Sequence, residues 1–243
     1  MSMQTQLHEV ILLLNPIIFM PVTVVIILIY NYKQYKKGAY YRITKKPYLS
    51  VKFDLGRYGE YLIYKSLRCF ENNGAKFLFN TYIPKGNNET TEIDVLLICS
   101  KGLFVFESKN YSGWIFGDES QKNWTQIIYD NKKRFYNPIM QNKSHIKHLK
   151  KLIGEHIPMR PIIVFSDRCT LKDIKIKSVN ISVIKRYNLK SVVMQIWNQI
   201  QDYCLTETEI NDIYNKLYPY TQNSYEAEVQ HIENIRKKIE TDF

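Results

Sequence analysis

The chain has 243 residues, 45% of them hydrophobic and 14% aromatic, which is enough for one domain of ordinary size plus appendages and excludes a disordered chain. Cys69, Cys99, Cys169 and Cys204 stand at least 30 residues apart, with no C-x-x-C pair and no neighbouring Cys/His group. This argues against a disulfide framework or a zinc site and for four reduced thiols.

The first element is Val10 to Tyr30, VILLLNPIIFMPVTVVIILIY, 21 residues without a charge, close to the roughly 20 that cross a bilayer as a helix. Asn15, Pro16 and Pro21 weaken its first half, although proline is tolerated in a membrane helix when freed backbone groups find other partners. A signal peptide is the competing reading. Residues 1–9 hold no Lys or Arg and no small-x-small site follows the apolar run, so a retained transmembrane helix over 8–32 is expected. A basic juxtamembrane linker over 33–50 follows, with Lys33, Lys36, Lys37, Arg42, Lys45 and Lys46 against no basic residue before the span. Positive flanks stay inside. The expected protein is therefore single-pass in the cell membrane, with a short N-terminus outside, residues 8–32 in the lipid bilayer and the C-terminal domain in the cytoplasm. The formal net charge of +11 shrinks to +6 over residues 47–243, where 28 basic side chains face 22 acidic ones. Topology or attraction to anionic lipid explains nearly half of the excess, so charge alone is weak evidence for a nucleic-acid partner.

Helical spacing covers Leu55 to Phe70, with Glu60 bordering the buried stripe. Phe77 to Ile83 reads as a strand and PKGNNET as a loop. Two strands follow, Glu92 to Cys99 and Leu103 to Lys109, joined by the turn SKG. Shorter strands are predicted at Gly113–Phe116, Trp124–Tyr129 and Lys133–Tyr136. A helix over Pro138–Ile153 has Pro in its first turn and an apolar stripe of Ile139, Ile146, Leu149 and Ile153. Strands at Pro161–Phe165 and Ile181–Ile184 and a helix at Ser191–Tyr203 complete a domain over 51–203. The pattern lacks regular βαβ alternation and predicts an α/β sandwich around a mixed sheet. In the appendage over 204–243, Thr206 and Glu209 form a capping box for a helix ending near Leu217. A charged helix with a sparse stripe of Val229, Ile232, Ile235 and Ile239 follows, a candidate docking element for a second copy or a protein partner.

The chemistry concentrates at GLFVFESKNYSGWIFGD, residues 102–118. Glu107 and Lys109 interrupt the most apolar run after the span and share one face of their strand. Asp94 is another acid set into an apolar strand, EIDVLLIC. If Ser100 and Lys101 form a two-residue hairpin loop, Asp94 falls opposite Glu107; a three-residue loop would flip the parity. Two carboxylates in one small volume need a proton or a cation between them, and hard oxygen donors favour Mg2+ or Mn2+ over zinc. Such a site suits metal-assisted phosphodiester hydrolysis, with Lys109 handling a water or steadying an oxyanion. The bland alternative is a solvated ion pair at a strand edge.

The order GRYGE on a helix, EIDVLLI on a strand, a Gly-containing turn, LFVFESKNYSGWIFG, then NW and NPIMQN resembles the nuclease-related domain, NERD, over residues 52–165. The resemblance implies a restriction-endonuclease-like αβββαβ core, a mixed central sheet flanked by helices, in the PD-(D/E)xK superfamily. It also implies Asp94 and Glu107 as metal ligands, Lys109 as the catalytic lysine, and Glu60 as a further acidic ligand or metal-water partner. Gln141 matches the NPxxQ position and would touch substrate or site water. Ile93 stands where the superfamily often has Pro. A helical wheel sets Gln141, His145 and His148 opposite the apolar stripe of their helix, which would turn Gln141 away and leave both histidines solvated. Trp114 and Trp124 are expected in the core. The expected function is a membrane-anchored, divalent-metal-dependent nuclease acting on DNA, or with less support RNA; the alternatives are a silent nucleic-acid-binding module and a membrane-tethered recruiter of partners.

Overall fold

The most apolar stretches, Val95–Cys99 and Leu103–Phe106, are fully buried side by side at the centre of the protein. The computed structural model describes residues 21–86, 89–200 and 204–221. Its strands in chain order are β1 (Lys76–Gly86), β2 (Glu89–Cys99), β3 (Gly102–Lys109), β4 (Gly113–Asp118), β5 (Asn123–Ile128), β6 (Asn131–Tyr136), β7 (Met159–Phe165), β8 (Cys169–Lys175) and β9 (Ser182–Lys185). The helices are α1 (21–37), α2 (Ala39–Thr44), α3 (Tyr48–Phe53), α4 (Leu55–Leu67), α5 (Pro138–Ile153), α6 (Leu189–Gln199) and α7 (Glu207–Leu217).

The strands build two mixed sheets, where one was expected. The five-stranded sheet has the order β1-β2-β3-β7-β9; its first three strands are antiparallel, and β3, β7 and β9 run parallel. With α4 before β1 and α5 before β7, the order of its elements fits the αβββαβ core that the resemblance implies. The four-stranded sheet has the order β6-β5-β4-β8. Its strand β8 is absent from the sequence reading because a register shift opposite Ile115/Phe116 breaks the alternation of CTLKDIK. The expected loop PKGNNET is largely consumed by β1 and β2, which run on to Gly86 and from Glu89.

Local chemistry places the two helices that matter for the site. Asp54 caps α4 by accepting from the Arg57 amide at 3.0 Å, and Gly59 lets α4 settle on β3, since a Cβ there would lie 2.6 Å from Ser108 Oγ. Asn137 caps α5 through the Ile139 amide, and its own amide donates to the carbonyls of Asp118, Glu119 and Gln121. The start of α5 is thereby clamped to the β4–β5 loop.

Of the span expected over 8–32, residues 8–20 lie outside the described residues. In α1 the side chains of 22–30 are exposed all round. Among the described residues, no helix is long and apolar enough to cross a membrane. The segment 33–50, expected as a linker, carries the end of α1, all of α2 and the start of α3, and buries Tyr35, Ala39, Tyr40 and Ile43. Tyr40 lies 4.8 Å from Phe79 and Tyr35 lies 5.2 Å from Tyr61, ring centre to ring centre. At the other end the expected capping box holds α7, which buries Ile210, Ile213 and Leu217. The expected stripe from Val229 to Ile239 lies outside the described residues.

Buried aromatics of this kind cost about 3–5 kcal/mol each when truncated to alanine. A fragment beginning at residue 47 should therefore lack a cooperative unfolding transition that a fragment beginning at residue 33 retains, as read by circular dichroism on heating.

Candidate active site

The β2–β3 ladder pairs Cys99 with Gly102 and Val95 with Phe106. Ser100 and Lys101 are therefore the two-residue loop, and Gly102 serves the turn at φ 99°. One step beyond the last pair, Asp94 stands beside Glu107, and Asp94 Oδ2 accepts from the Ser108 amide at 2.7 Å.

Glu107 is 1% exposed, with Lys109 Nζ 2.6 Å from Oε1 and His145 Nε2 3.1 Å from Oε2. Because an ionised carboxylate only accepts, Nε2 carries the hydrogen of that bond; Nδ1 of the same ring lies 2.6 Å from Thr91 Oγ1. Lys109 Nζ also donates to Gln141 Oε1 at 3.1 Å. Gln141 therefore faces the sheet, and His145, expected in solvent, is 3% exposed. The stripe residues Ile139 and Leu149 are buried as expected, and the buried arc of the helix extends past them to His145 and to the edge where Gln141 stands. α5 lays a polar face over β3 because β3 presents Glu107 and Lys109 there, and Asn142 Nδ2 ties that face to the Val105 carbonyl at 2.9 Å. His148 is half-buried and turns back to the Ser144 carbonyl.

Glu60 comes from α4. Its Oε2 accepts from Tyr40 Oη and from Asn80 Nδ2, each at 3.0 Å, and Asn80 Nδ2 also reaches Glu92 Oε1 at 3.1 Å. Asn80 has φ 47°, and the β1–β2 ladder steps over it between Phe79↔Val95 and Thr81↔Ile93. This kink aims its amide between two acids, a use to which irregular strand residues near functional sites are put. A cleft of about 580 Å³ opens here, with Lys45, Lys46 and Arg57 among its lining and Glu60, Asn80 and Glu92 on the acidic side; Asp94, Glu107 and Lys109 stand outside that lining.

Burial first, and then the Glu107 and Glu60 carboxylates, hold Asp94 well above the usual carboxylate range. Burial and Glu92 push Glu60 up to about 8. Burial would raise Glu107 too, but Lys109 and His145 outweigh it and hold its carboxyl below the ordinary value. Burial would lower Lys109; Glu107 and Asp94 reverse this and raise it. The lysine thus stays an ammonium, fitted to stabilise negative charge and unfitted to take a proton.

Residues 55–166, from α4 to the end of β7, match the nuclease-related domain, NERD. An uncharacterized protein of Bacillus anthracis is 31% identical over 184 residues, which cover 76% of this chain and 85% of that relative. The chain belongs to the NERD family. No solved structure matches it.

The NERD residues Asp94, Glu107 and Glu60 offer only hard oxygen donors, and two of the three are acids whose charge the fold penalises. That donor chemistry fits a divalent cation of the magnesium type. Among the described residues no three His, Cys, Asp or Glu side chains form a ready-made metal cluster, and both Glu107 oxygens are already engaged. Sequence reasoning missed His145, Thr91, Tyr40, Asn80 and Glu92. The spacing of His145 from Gln141 was a usable signal for the first; nothing in sequence spacing points to Tyr40, which lies 20 residues from the acid it contacts.

In metal-free protein Glu60 binds its proton more tightly when folded (about 8) than at its ordinary value of 4.5. Its contribution to stability is therefore full at low pH and declines as pH rises from about 4.5 through 8. Thermal melts should show this decline in the wild type and a shallower one in Glu60→Gln. Replacing His145 with Leu leaves Glu107 Oε2 without its donor and should cost about 1.5–3 kcal/mol in denaturant unfolding.

Proposed function

We propose that this NERD protein is a divalent-metal-dependent nuclease that hydrolyses phosphodiester bonds, with DNA as the first substrate and RNA as the second. The observation that carries the reading is the convergence of three groups at the end of β2 and β3, where Asp94 Oδ2 accepts from the Ser108 amide and Lys109 Nζ lies 2.6 Å from Glu107 Oε1, with the Glu60 carboxylate of α4 acting on Asp94. A strand-edge ion pair, the bland reading, would be solvated. Here Glu107 is buried, and a buried charge costs several kcal/mol unless its partners are well placed.

Asp94, Glu107 and Glu60 would hold a magnesium or manganese ion, which when bound polarises a phosphoryl oxygen and lowers the pKa of a water. The chain's own residues would do the rest. Lys109 meets the charge that builds on the phosphoryl oxygens, because its ammonium is kept protonated. Gln141 and Glu107 hold that ammonium in place, and His145 fixes the other Glu107 oxygen. The basic residues Lys45, Lys46 and Arg57 beside the cleft suit a polyanion approaching an otherwise acidic site.

Tethering to the cytoplasmic face of a membrane belongs to the same proposal. Its support is the apolar run of Val10 to Tyr30, whose described part presents apolar side chains on every side of α1, and the basic residues after it. The silent-binding alternative accounts poorly for several acids gathered where they would repel phosphate.

The test is degradation of plasmid, linear and single-stranded DNA by the detergent-purified chain with magnesium, manganese or chelator. Lys109→Ala and Asp94→Asn should each reduce the rate by at least about a hundred-fold, and chelator should abolish cleavage. Equal degradation by wild type and Lys109→Ala, or indifference to chelator, would remove the mechanism.

A further inference from the structure

Trp114 does not pack in the core as expected: it is 51% exposed, whereas Trp124 is buried at 1%. The reason is strand parity. In the four-stranded sheet Ile115, Trp124 and Phe135 turn inward to pack against Ile163 and Phe165. The alternate residues face out, so that the cross-strand row Thr170–Trp114–Ile127–Lys132 lies on the outer face, with Thr125 and Arg134 in the next row.

This face has an unusual make-up for a solvent surface. The largest aromatic side chain sits on an interior strand, β4, with Lys172 Nζ 4.9 Å from the ring centre. Lys132 and Arg134, two apart on β6 and so on one side of it, are both exposed on this face. Asp173, the acid that interrupts the face on β8, is paired with Lys175 at 3.6 Å. Basic residues on an edge strand such as β6 have an ordinary explanation, which is protection against edge-to-edge association. That explanation does not extend to Trp114, which is not at an edge and whose exposure only costs solubility.

The strand that carries Trp114 also follows directly on the strand that carries Glu107 and Lys109. Trp114 follows Lys109 by five residues, about 17 Å at full extension. The two connections that pass from one sheet to the other, after β3 and after β7, run side by side here, tied by the Ser166 amide to the Lys109 carbonyl at 3.0 Å and by Arg168 to the Asn110 carbonyl at 2.8 Å.

We propose that the outer face of the β6-β5-β4-β8 sheet binds single-stranded nucleic acid and leads it to the Asp94–Glu107–Lys109 site. Trp114 is the platform on which a base stacks, and Lys172, Lys132 and Arg134 meet the phosphates. An exposed ring with interleaved cations is the composition by which single strands are held without base specificity. The inference rests on the nuclease reading for the direction in which the strand is fed, while the surface itself rests on Trp114 and its charges.

The experiment measures fluorescence anisotropy of a labelled oligothymidylate with the full chain in detergent and chelator, so that binding is read without cleavage. Trp114→Ala should bind about ten-fold more weakly or worse, and Trp114→Phe, which keeps a ring, should recover most of the loss. Lys132→Gln with Arg134→Gln should flatten the salt dependence of log K by about 0.7 per lost contact. Binding by Trp114→Ala equal to wild type would overturn the inference, as would a blunt duplex binding at least as tightly as the single strand. Plasmid or single-strand cleavage with metal, run in parallel, separates the two ideas. If wild type cleaves in a Lys109-dependent way but Trp114→Ala binds normally, the surface falls and the nuclease stands. If Trp114→Ala loses binding while wild type cleaves nothing, the nuclease falls and the surface stands.

Discussion

The buried Glu107 carboxylate is the constraint on which the arrangement of this protein turns. It sits at the end of the most apolar strand, and its ionisation there depends on two donors, the Lys109 ammonium and the His145 ring. Neither contact is local in origin, although Lys109 is only two residues away. The lysine is itself positioned by Gln141 from α5, and His145 is braced by Thr91 from β2. A charge that costs several kcal/mol to bury thus dictates the composition of the helix above it.

That dependence explains α5. A helix packed on a sheet ordinarily presents its apolar stripe, but the stretch over β3 presents Gln141, Asn142 and His145, and the apolar residues Ile139 and Leu149 take up the core contact on either side. The helix is held by polar anchors, Asn137 at its start and Asn142 in its second turn. Polar packing of this kind is tolerated only where nearly every group is satisfied. Asn142 Oδ1 is the exception on this face, buried with no hydrogen-bond partner among the described residues.

The opposite side of the site is built from a different part of the chain. Tyr40 of α2 and Asn80 at the kink of β1 converge on Glu60, so the segment that leaves the apolar N-terminal helix is part of the domain's core and of its acidic network. Glu60 and Asp94 are the acids whose charge the fold penalises, while Glu107 is the acid whose charge it supports. The site therefore holds acids in opposite electrostatic conditions, set by which of them the lysine and histidine can reach.

Much of this was legible in the sequence. The apolar runs and the short SKG turn pointed to the β2–β3 hairpin, but the approach of Asp94 to Glu107 waited on the loop length, which the Cys99–Gly102 pair sets at two residues and which side-chain parity then turns into one register. Pro138 marked the start of α5, and Thr206 with Glu209 that of α7, since helix starts are set by local geometry and local hydrogen bonds. The tertiary structure alone decided the rest. It widened the buried arc of α5 beyond the apolar stripe to take in Asn142 and His145, because a hydrophobic wheel cannot weigh a buried ion pair on another strand. It brought Tyr40 to Glu60 and turned Trp114 outward while burying Trp124, because these outcomes depend on which surfaces the second sheet covers, and long-range packing has no signature in local spacing.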